Sequence, residues 1–117
     1  MVSRITDKGD YLHLVFDGEL NNDNIHDFLN EAATMIRRPG NRVRLLSDFE
    51  TSIVVGGKVK NAVAEWVKEN TPFVKKSAVL GIKGFKYAMG QFVLRTSGRK
   101  NIRLFDSEKA ALEWLLE

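Results

Sequence analysis

The sequence predicts an α/β domain, with four helices packed on a mostly parallel sheet of four or five strands. Three observations lead there. Apolar residues alternate with a period of two in some segments and recur at helical spacing in others. The two kinds of segment take turns along the chain, the pattern of a parallel sheet with crossover helices. Two of the strand-like runs are apolar on both faces, as strands covered by helices on both sides should be.

Residues 11–16 (YLHLVF) place Leu12, Leu14 and Phe16 on one face and Tyr11, His13 and Val15 on the other, which reads as a strand. A short segment at residues 2–6 is expected to pair with it through a turn at Lys8-Gly9-Asp10. Gly18-Glu19-Leu20 leads to Asn21 and Asn22, good helix-capping residues. Ile25, Phe28, Leu29, Ala32, Ala33 and Ile36 then mark a helix that Pro39-Gly40 ends. Residues 43–46 form a compact apolar strand, and a longer connection over residues 47–57 follows. Val59, Val63, Trp66 and Val67 give the stripe of a second helix, stopped by Thr71-Pro72 because a residue before proline avoids the helical region.

Residues 77–82 (SAVLGI) are the next interior strand. Gly84 opens a third helix faced by Phe85, Ala88, Met89, Phe92 and Val93, with Gly98 as its C-terminal cap. Residues 102–105 are the last strand. Asp106-Ser107 caps a final helix whose Ala110, Ala111, Leu112, Trp114 and Leu115 face inward. The 117 residues are expected to form one domain (1–117), large enough to bury roughly two thirds of the unfolded surface.

There is no cysteine, which excludes disulfides, thiolate metal sites and a cysteine nucleophile and points to a reducing compartment. No run approaches the ~18–20 apolar residues of a membrane span. The opening MVSRITDKGDY lacks the apolar stretch of a signal peptide, so a bacterial-type cytoplasmic protein is expected. The net charge of +3 is uneven, being −2 over residues 1–58 and +5 over residues 59–117. From Asn70 to Phe105 there is no acid, a stretch suited to attract an anion or simply to solvate helix ends.

In a parallel sheet, ligands and partners meet the loops at the carboxyl ends of the strands. Asp48 and Glu50 stand just past an apolar strand, and Thr51, Ser52, Gly56, Gly57 and Lys58 continue the same connection. These are the candidate binding residues, with Ile53 to Val55 as a partner-binding lip; the plainer alternative is an aspartate that closes a turn through its own side chain. Lys83, Gly84 and Lys86 at a strand-to-helix turn are candidates for an anion contact. That turn lacks the Gly-Lys-Ser/Thr ending of a phosphate-binding loop and the three spaced glycines of a dinucleotide fingerprint.

Catalytic and metal-binding patterns are absent from the sequence. His13 and His26 have no nucleophile or carboxylate partner that spacing would supply. Asp17, Asp23, Asp27 and Glu31 follow no calcium-loop spacing and read as a solvated helix face, so no metal, catalytic residue or cofactor is assigned. Phe85 and Phe92 lie seven apart on the core face of their helix, which argues against a base-stacking platform and against nucleic acid as a partner.

The ordered elements resemble the STAS domain, most closely its SpoIIAA-like branch, also described as STAS/Sec14-like. The likeness rests on Phe16-Asp17-Gly18-Glu19-Leu20 and on residues 43–46 with Asp48-Phe49. It rests most on Lys76-Ser77-Ala78-Val79-Leu80-Gly81, Ser97-Gly98, Ile102-Arg103-Leu104-Phe105-Asp106 and the Ala/Leu/Trp-rich end. The resemblance implies a non-enzymatic regulatory module that binds a protein partner through the loop after the third strand and the second helix. Its Sec14-like side implies the alternative, a carrier or sensor of a small apolar or lipid-like ligand. Exposed aliphatics in the loop leave a homodimer open.

In the best-known members of the family, a serine at the N-terminus of the second helix is phosphorylated by the partner kinase. A helix N-terminus favours such an anion. The usual Asp-Ser-Ser-Gly is replaced here by Val54-Val55-Gly56-Gly57-Lys58, which carries no hydroxyl, so phosphorylation is not expected at that place.

Overall fold

A computed structural model describes residues 3–97 and 101–117 of the chain. The main sheet has five strands in the order β1 (Arg4–Asp7), β2 (Leu12–Val15), β4 (Val43–Asp48), β6 (Val74–Leu80) and β7 (Ile102–Phe105). β1 is antiparallel to β2, and every other pair in this sheet is parallel. The expected hairpin turn closes through the Lys8 N–H donating to the Tyr11 carbonyl at 2.9 Å, with Gly9 at φ +88°. Two short segments expected to be loop instead pair in parallel as a separate ribbon, β3 (Gly18–Leu20) and β5 (Ser52–Val54). At three residues each, they are too short for alternation to register in the sequence.

Four helices complete the fold: α1 (Ile25–Ile36), α2 (Lys58–Asn70), α3 (Phe85–Ser97) and α4 (Glu108–Leu115). α1, α2 and α3 share one face of the sheet, where Leu12, Leu14, Phe16, Val43 and Leu45 meet Ile25, Phe28, Leu29, Val59, Val63, Val67, Met89 and Val93. α4 lies on the other face, where Ala111 and Leu115 cover Leu46, Ala78 and Leu80. The two-sided covering expected of the central strands is present, divided three helices to one.

The boundaries move for local reasons. Asn21 and Asn24 exchange side-chain-to-backbone hydrogen bonds of 3.0 Å, and the Ile25 N–H donates to the Asn21 carbonyl, so the expected asparagine cap sits one turn ahead of α1. β6 starts at Val74, after a 3-10 turn over Thr71–Phe73, rather than at Ser77. It ends before Gly81, whose φ of +79° takes the backbone out of the strand region. Ala88 and Ala110, expected on core faces, are exposed. Ser107 caps α4 as expected, its hydroxyl accepting from the Ala110 N–H at 3.2 Å. The cap expected at Gly98, the side chain of Phe85 and the Val2 end of the hairpin lie outside the described residues.

Side-chain bonds fasten the helices. The Trp66 indole N–H donates to the Leu29 carbonyl at 2.9 Å and joins α2 to α1. Buried Asn70 accepts from the Arg37 guanidinium at 2.9 Å and donates to the Trp66 carbonyl at 2.8 Å, holding the ends of both helices together. The Lys76 ammonium donates to the Trp114 carbonyl at 2.8 Å, a cation on the C-terminal end of α4. Among the described residues no helix is long and apolar enough to cross a membrane.

α3 reaches the sheet closely because Gly90 has no side chain: a Cβ there would stand 2.7 Å from the Ile82 Cγ2 atom. Gly90→Ala should therefore lower stability by about 1–3 kcal/mol, the usual cost of overpacking, in a urea titration. Combined with Ile82→Ala, which removes the clashing methyl, the loss should be smaller than the sum of the two single losses. Full additivity would show that α3 does not sit this close.

Candidate functional site

The carboxyl rim of the sheet is built around one turn. β4 ends at Asp48, whose Oδ1 accepts from the Glu50 N–H at 2.9 Å, so the aspartate closes the turn through its own side chain. The next residue, Phe49, points into the core and is almost fully buried. Its ring stacks on Phe16 at 4.1 Å between centroids and 6° between planes, and Phe16 in turn meets Phe28 edge-on at 5.0 Å. The Phe49 N–H donates to the Leu80 carbonyl at 2.9 Å, which ties the turn to the end of β6.

The turn is closed from its other side as well. The buried Ser52 hydroxyl donates to the Phe49 carbonyl at 2.7 Å, and the Ser52 N–H donates to it at 3.1 Å. The Lys86 ammonium, from the first turn of α3, donates to the Phe49 carbonyl and to the Ser52 carbonyl, the latter at 3.1 Å. Burial of this ammonium lowers its pKa from the ordinary lysine value, a pull that outweighs the nearby carboxylates of Asp48 and Glu50. Gly81 makes the close approach feasible, since a Cβ there would fall 2.4 Å from the Glu50 backbone nitrogen.

From this fixed turn the chain runs out along β5. Ile53 is 67% exposed and Val55 44%, while Val54 packs against the core and the Val55 N–H donates to the Leu20 carbonyl at 2.8 Å. Gly56, at φ +87°, and Gly57 lead into α2, which begins at Lys58 with no side-chain cap. Of the residues singled out in the sequence, Glu50, Thr51, Gly56, Gly57 and Lys58 are exposed along this edge, Asp48 is half-buried in the turn, and Ser52 is buried beneath it.

The three candidates for an anion contact, Lys83, Gly84 and Lys86, have different surroundings. Lys83 is exposed and Gly84 supplies a positive φ of +59° for the turn. Lys86 is turned inward onto carbonyl oxygens, a role that sequence reasoning missed because its partner Phe49 lies 37 residues away. His26 is exposed, its Nε2 lying 3.4 Å from the Asn22 side-chain oxygen, and no group of three or more metal-ligating side chains is found among the described residues.

Comparison with known proteins places this architecture. No family model and no curated protein sequence matches the chain. Solved structures do. Anti-sigma factor antagonist SpoIIAA in its unphosphorylated form is similar at a TM-score of 0.73 and 13% identity, over 98% of this chain and 96% of that one. The chain has a SpoIIAA-like STAS fold. An anti-sigma-factor antagonist (STAS) domain protein from Planctomyces limnophilus is similar at a TM-score of 0.73 and 11% identity, over 97% of this chain and 96% of that one. An uncharacterised DUF3478-family protein with a SpoIIAA-like fold from Shewanella loihica PV-4 is similar at a TM-score of 0.71 and 14% identity, over 97% and 92% of the two chains. The resemblance read from the sequence therefore holds at the level of fold.

If Lys86 holds the rim, Lys86→Met should cost about 1.5–3 kcal/mol, the range for hydrogen bonds to a charged group, and should speed amide exchange at Phe49 and Ser52 before the rest of the sheet. Because the folded lysine titrates below its ordinary value of 10.5, the unfolded chain holds more protons in the alkaline range just below it, and stability rises with pH there through this group. The Met variant should lose that part of the slope. Unchanged exchange at Phe49 would show that the turn is held by its own hydrogen bonds alone.

Proposed function

We propose that this chain is a non-enzymatic regulatory binding module, one SpoIIAA-like unit that works in the cytoplasm by contact with a protein partner. The contact is made by Glu50, Thr51, the exposed side of β5 and the start of α2 at Gly56, Gly57 and Lys58. The observation that carries this reading is the pair of aliphatic side chains, Ile53 and Val55, held in the open on a turn that is itself locked down. Exposed apolar side chains next to a polar edge are the usual make-up of a contact surface. Pre-ordering of the backbone spares the entropy that docking would otherwise cost. The anti-sigma-factor antagonists that share the fold add support by kinship of shape.

No phosphoswitch is part of this reading. Gly57 stands at the N-cap of α2 without a side chain, and the hydroxyl of Ser52 is occupied inside the turn. Regulation here is by occupancy of the rim.

A second reading, a carrier of a small apolar ligand, has one observation in its favour. A narrow cavity of about 50 Å³ lies between the sheet and α2/α3, lined by Trp66, Val79, Ile82, Met89, Val93 and Leu104 among others, with Ser47 as a polar wall. Its size suits a compact apolar group and falls short of a lipid chain unless α3 shifts.

Two measurements separate the readings. In affinity capture from native lysate, wild-type protein should retain a stoichiometric partner that Ile53→Glu loses by about tenfold or more, the loss typical of a central contact residue. A partner retained equally by the variant, or a clean wild-type protein without one, would sink the protein-contact reading. Native mass spectrometry of the purified chain should give the bare mass; an added small-molecule mass supports the carrier, and a doubled mass lost in Ile53→Glu makes the partner a second copy.

A further inference from the structure

The opposite end of the sheet holds a second feature, built from residues that the rim does not use. The β1–β2 turn and the connection from α1 to β4 enclose an open pocket of about 280 Å³ with Gly9, Asp10, Tyr11, Arg38, Arg42 and Arg44 in its wall. Three of the nine residues in the wall are arginines. Arg38 is matched, its Nη1 standing 2.7 Å from Asp7 Oδ2, and the guanidinium holds the Asp7 carboxyl below its ordinary value. Arg42 and Arg44 have no carboxylate within ion-pair distance, because the Arg38–Asp7 pair is the one ion pair among the described residues. Asp10, although in the same wall, pairs with neither.

Arg44 is the unusual member. It is half-buried in β4, and its Nε is shielded from solvent without any hydrogen-bond partner. Its register partner in β6 is another cation, Lys76, whose ammonium is spent on the Trp114 carbonyl. On the other flank, β2 presents His13, the register partner of Leu46 two residues along β4, and its Nε2 is also buried and unpartnered. Burying the guanidinium Nε beside a second cation, with neither an acid nor a hydrogen-bond partner for it, is costly. A chain usually meets such a cost with a counter-ion or by extending the charged tip into water.

We propose that the Arg42/Arg44 pocket at the amino end of the sheet binds the phosphoryl group of a small phosphorylated ligand or free phosphate. The guanidinium forks of Arg42 and Arg44 donate to its oxygens, and its negative charge offsets the half-buried Arg44. Guanidinium matches the oxygens of a phosphoryl group in pairs, which a single ammonium does not. The width of the pocket leaves room for a substituent beyond the phosphorus. This site lies at the far end of β4 from the rim, so it stands or falls independently of the partner contact proposed there.

The test is an amide-resolved NMR titration of the intact chain with inorganic phosphate and with glycerol 3-phosphate, each against sodium chloride at matched ionic strength. Saturable shifts at Gly9, Asp10, Asn41 and Arg42 are expected, absent with chloride. Shifts with both ligands support a phosphoryl site open to esters; shifts with inorganic phosphate alone support a free-phosphate site. Arg44→Gln and Arg42→Ala should each weaken binding about tenfold, as loss of a charge-assisted pair does. The latter changes an exposed side chain and so leaves the fold intact even if Arg44→Gln does not fold. Lys75→Ala, an exposed cation outside the pocket, should leave binding unchanged. Shifts that match those of chloride, that spread over Lys75, Lys83 and Lys109 alike, or that survive Arg42→Ala would overturn the proposal.

Discussion

The carboxyl rim depends on Phe49 being in two places at once. Its ring belongs to the core, stacked on Phe16, while its backbone belongs to the surface turn. A buried aromatic of this size is expensive to withdraw, so the turn cannot lift without opening the core. The Lys86 ammonium and the Ser52 hydroxyl converge on the Phe49 carbonyl and satisfy the polar group that this arrangement would otherwise leave buried. The absence of a side chain at Gly81 is what allows β6 and the Glu50 backbone to come into contact. β5, with Ile53 and Val55 exposed, departs from this anchored point, and so does the path into α2.

The uneven covering of the sheet explains the character of its two ends. Three helices seal one face with a continuous apolar core. On the other face α4 is a short helix, and it covers β4, β6 and β7 through Ala111 and Leu115. β1 and β2 lie toward its edge, and their side chains on that face are mixed: Arg4, Thr6 and His13 beside buried Val15, with Tyr11 packed against the α4 cluster. Arg44 stands where the sealed part meets the open part, which is why a charged residue can sit within a strand otherwise rich in leucine and still keep its tip near solvent.

Much of this was readable from the chain. The alternation of Leu12, Leu14 and Phe16 against Tyr11, His13 and Val15 gave the correct faces of β2, and the stripes at Ile25–Ile36 and Lys58–Asn70 gave two helices and their buried sides. Short-range chemistry was also legible, as with Ser107 at the start of α4 and Asp48 closing its own turn. What escaped were pairings between distant segments. β3 and β5 are three residues each and gain their strand geometry from one another, across 34 positions of sequence. Lys86 looked like a free cation next to a glycine turn, since nothing local shows that carbonyl oxygens from residues 49 and 52 wait above it. Net charge by segment does not show assembly either: the pocket with Arg42 and Arg44 is put together from residues 9–11 and 38–44, in the half of the chain with negative net charge.

The pocket and the rim are the two ends of one strand. β4 carries Arg44 near its start and Asp48 at its end, and at about 3.3 Å per residue these sites stand on the order of 13 Å apart. Coupling over that distance needs an element with two discrete arrangements. β4 offers poor material for one: from Leu45 to Asp48 it is paired on both sides, with β2 and β6, its register shift against β6 is confined to Val43/Arg44, and its Leu45 and Leu46 are buried in the cores of opposite faces. A strand so fixed transmits little besides rigidity. The physical consequence is additivity: occupation of the Arg42/Arg44 pocket stabilises the folded chain by mass action while leaving the rim in the same conformation. Changes made at one end should then sum with changes at the other, as they do for distant, independent sites.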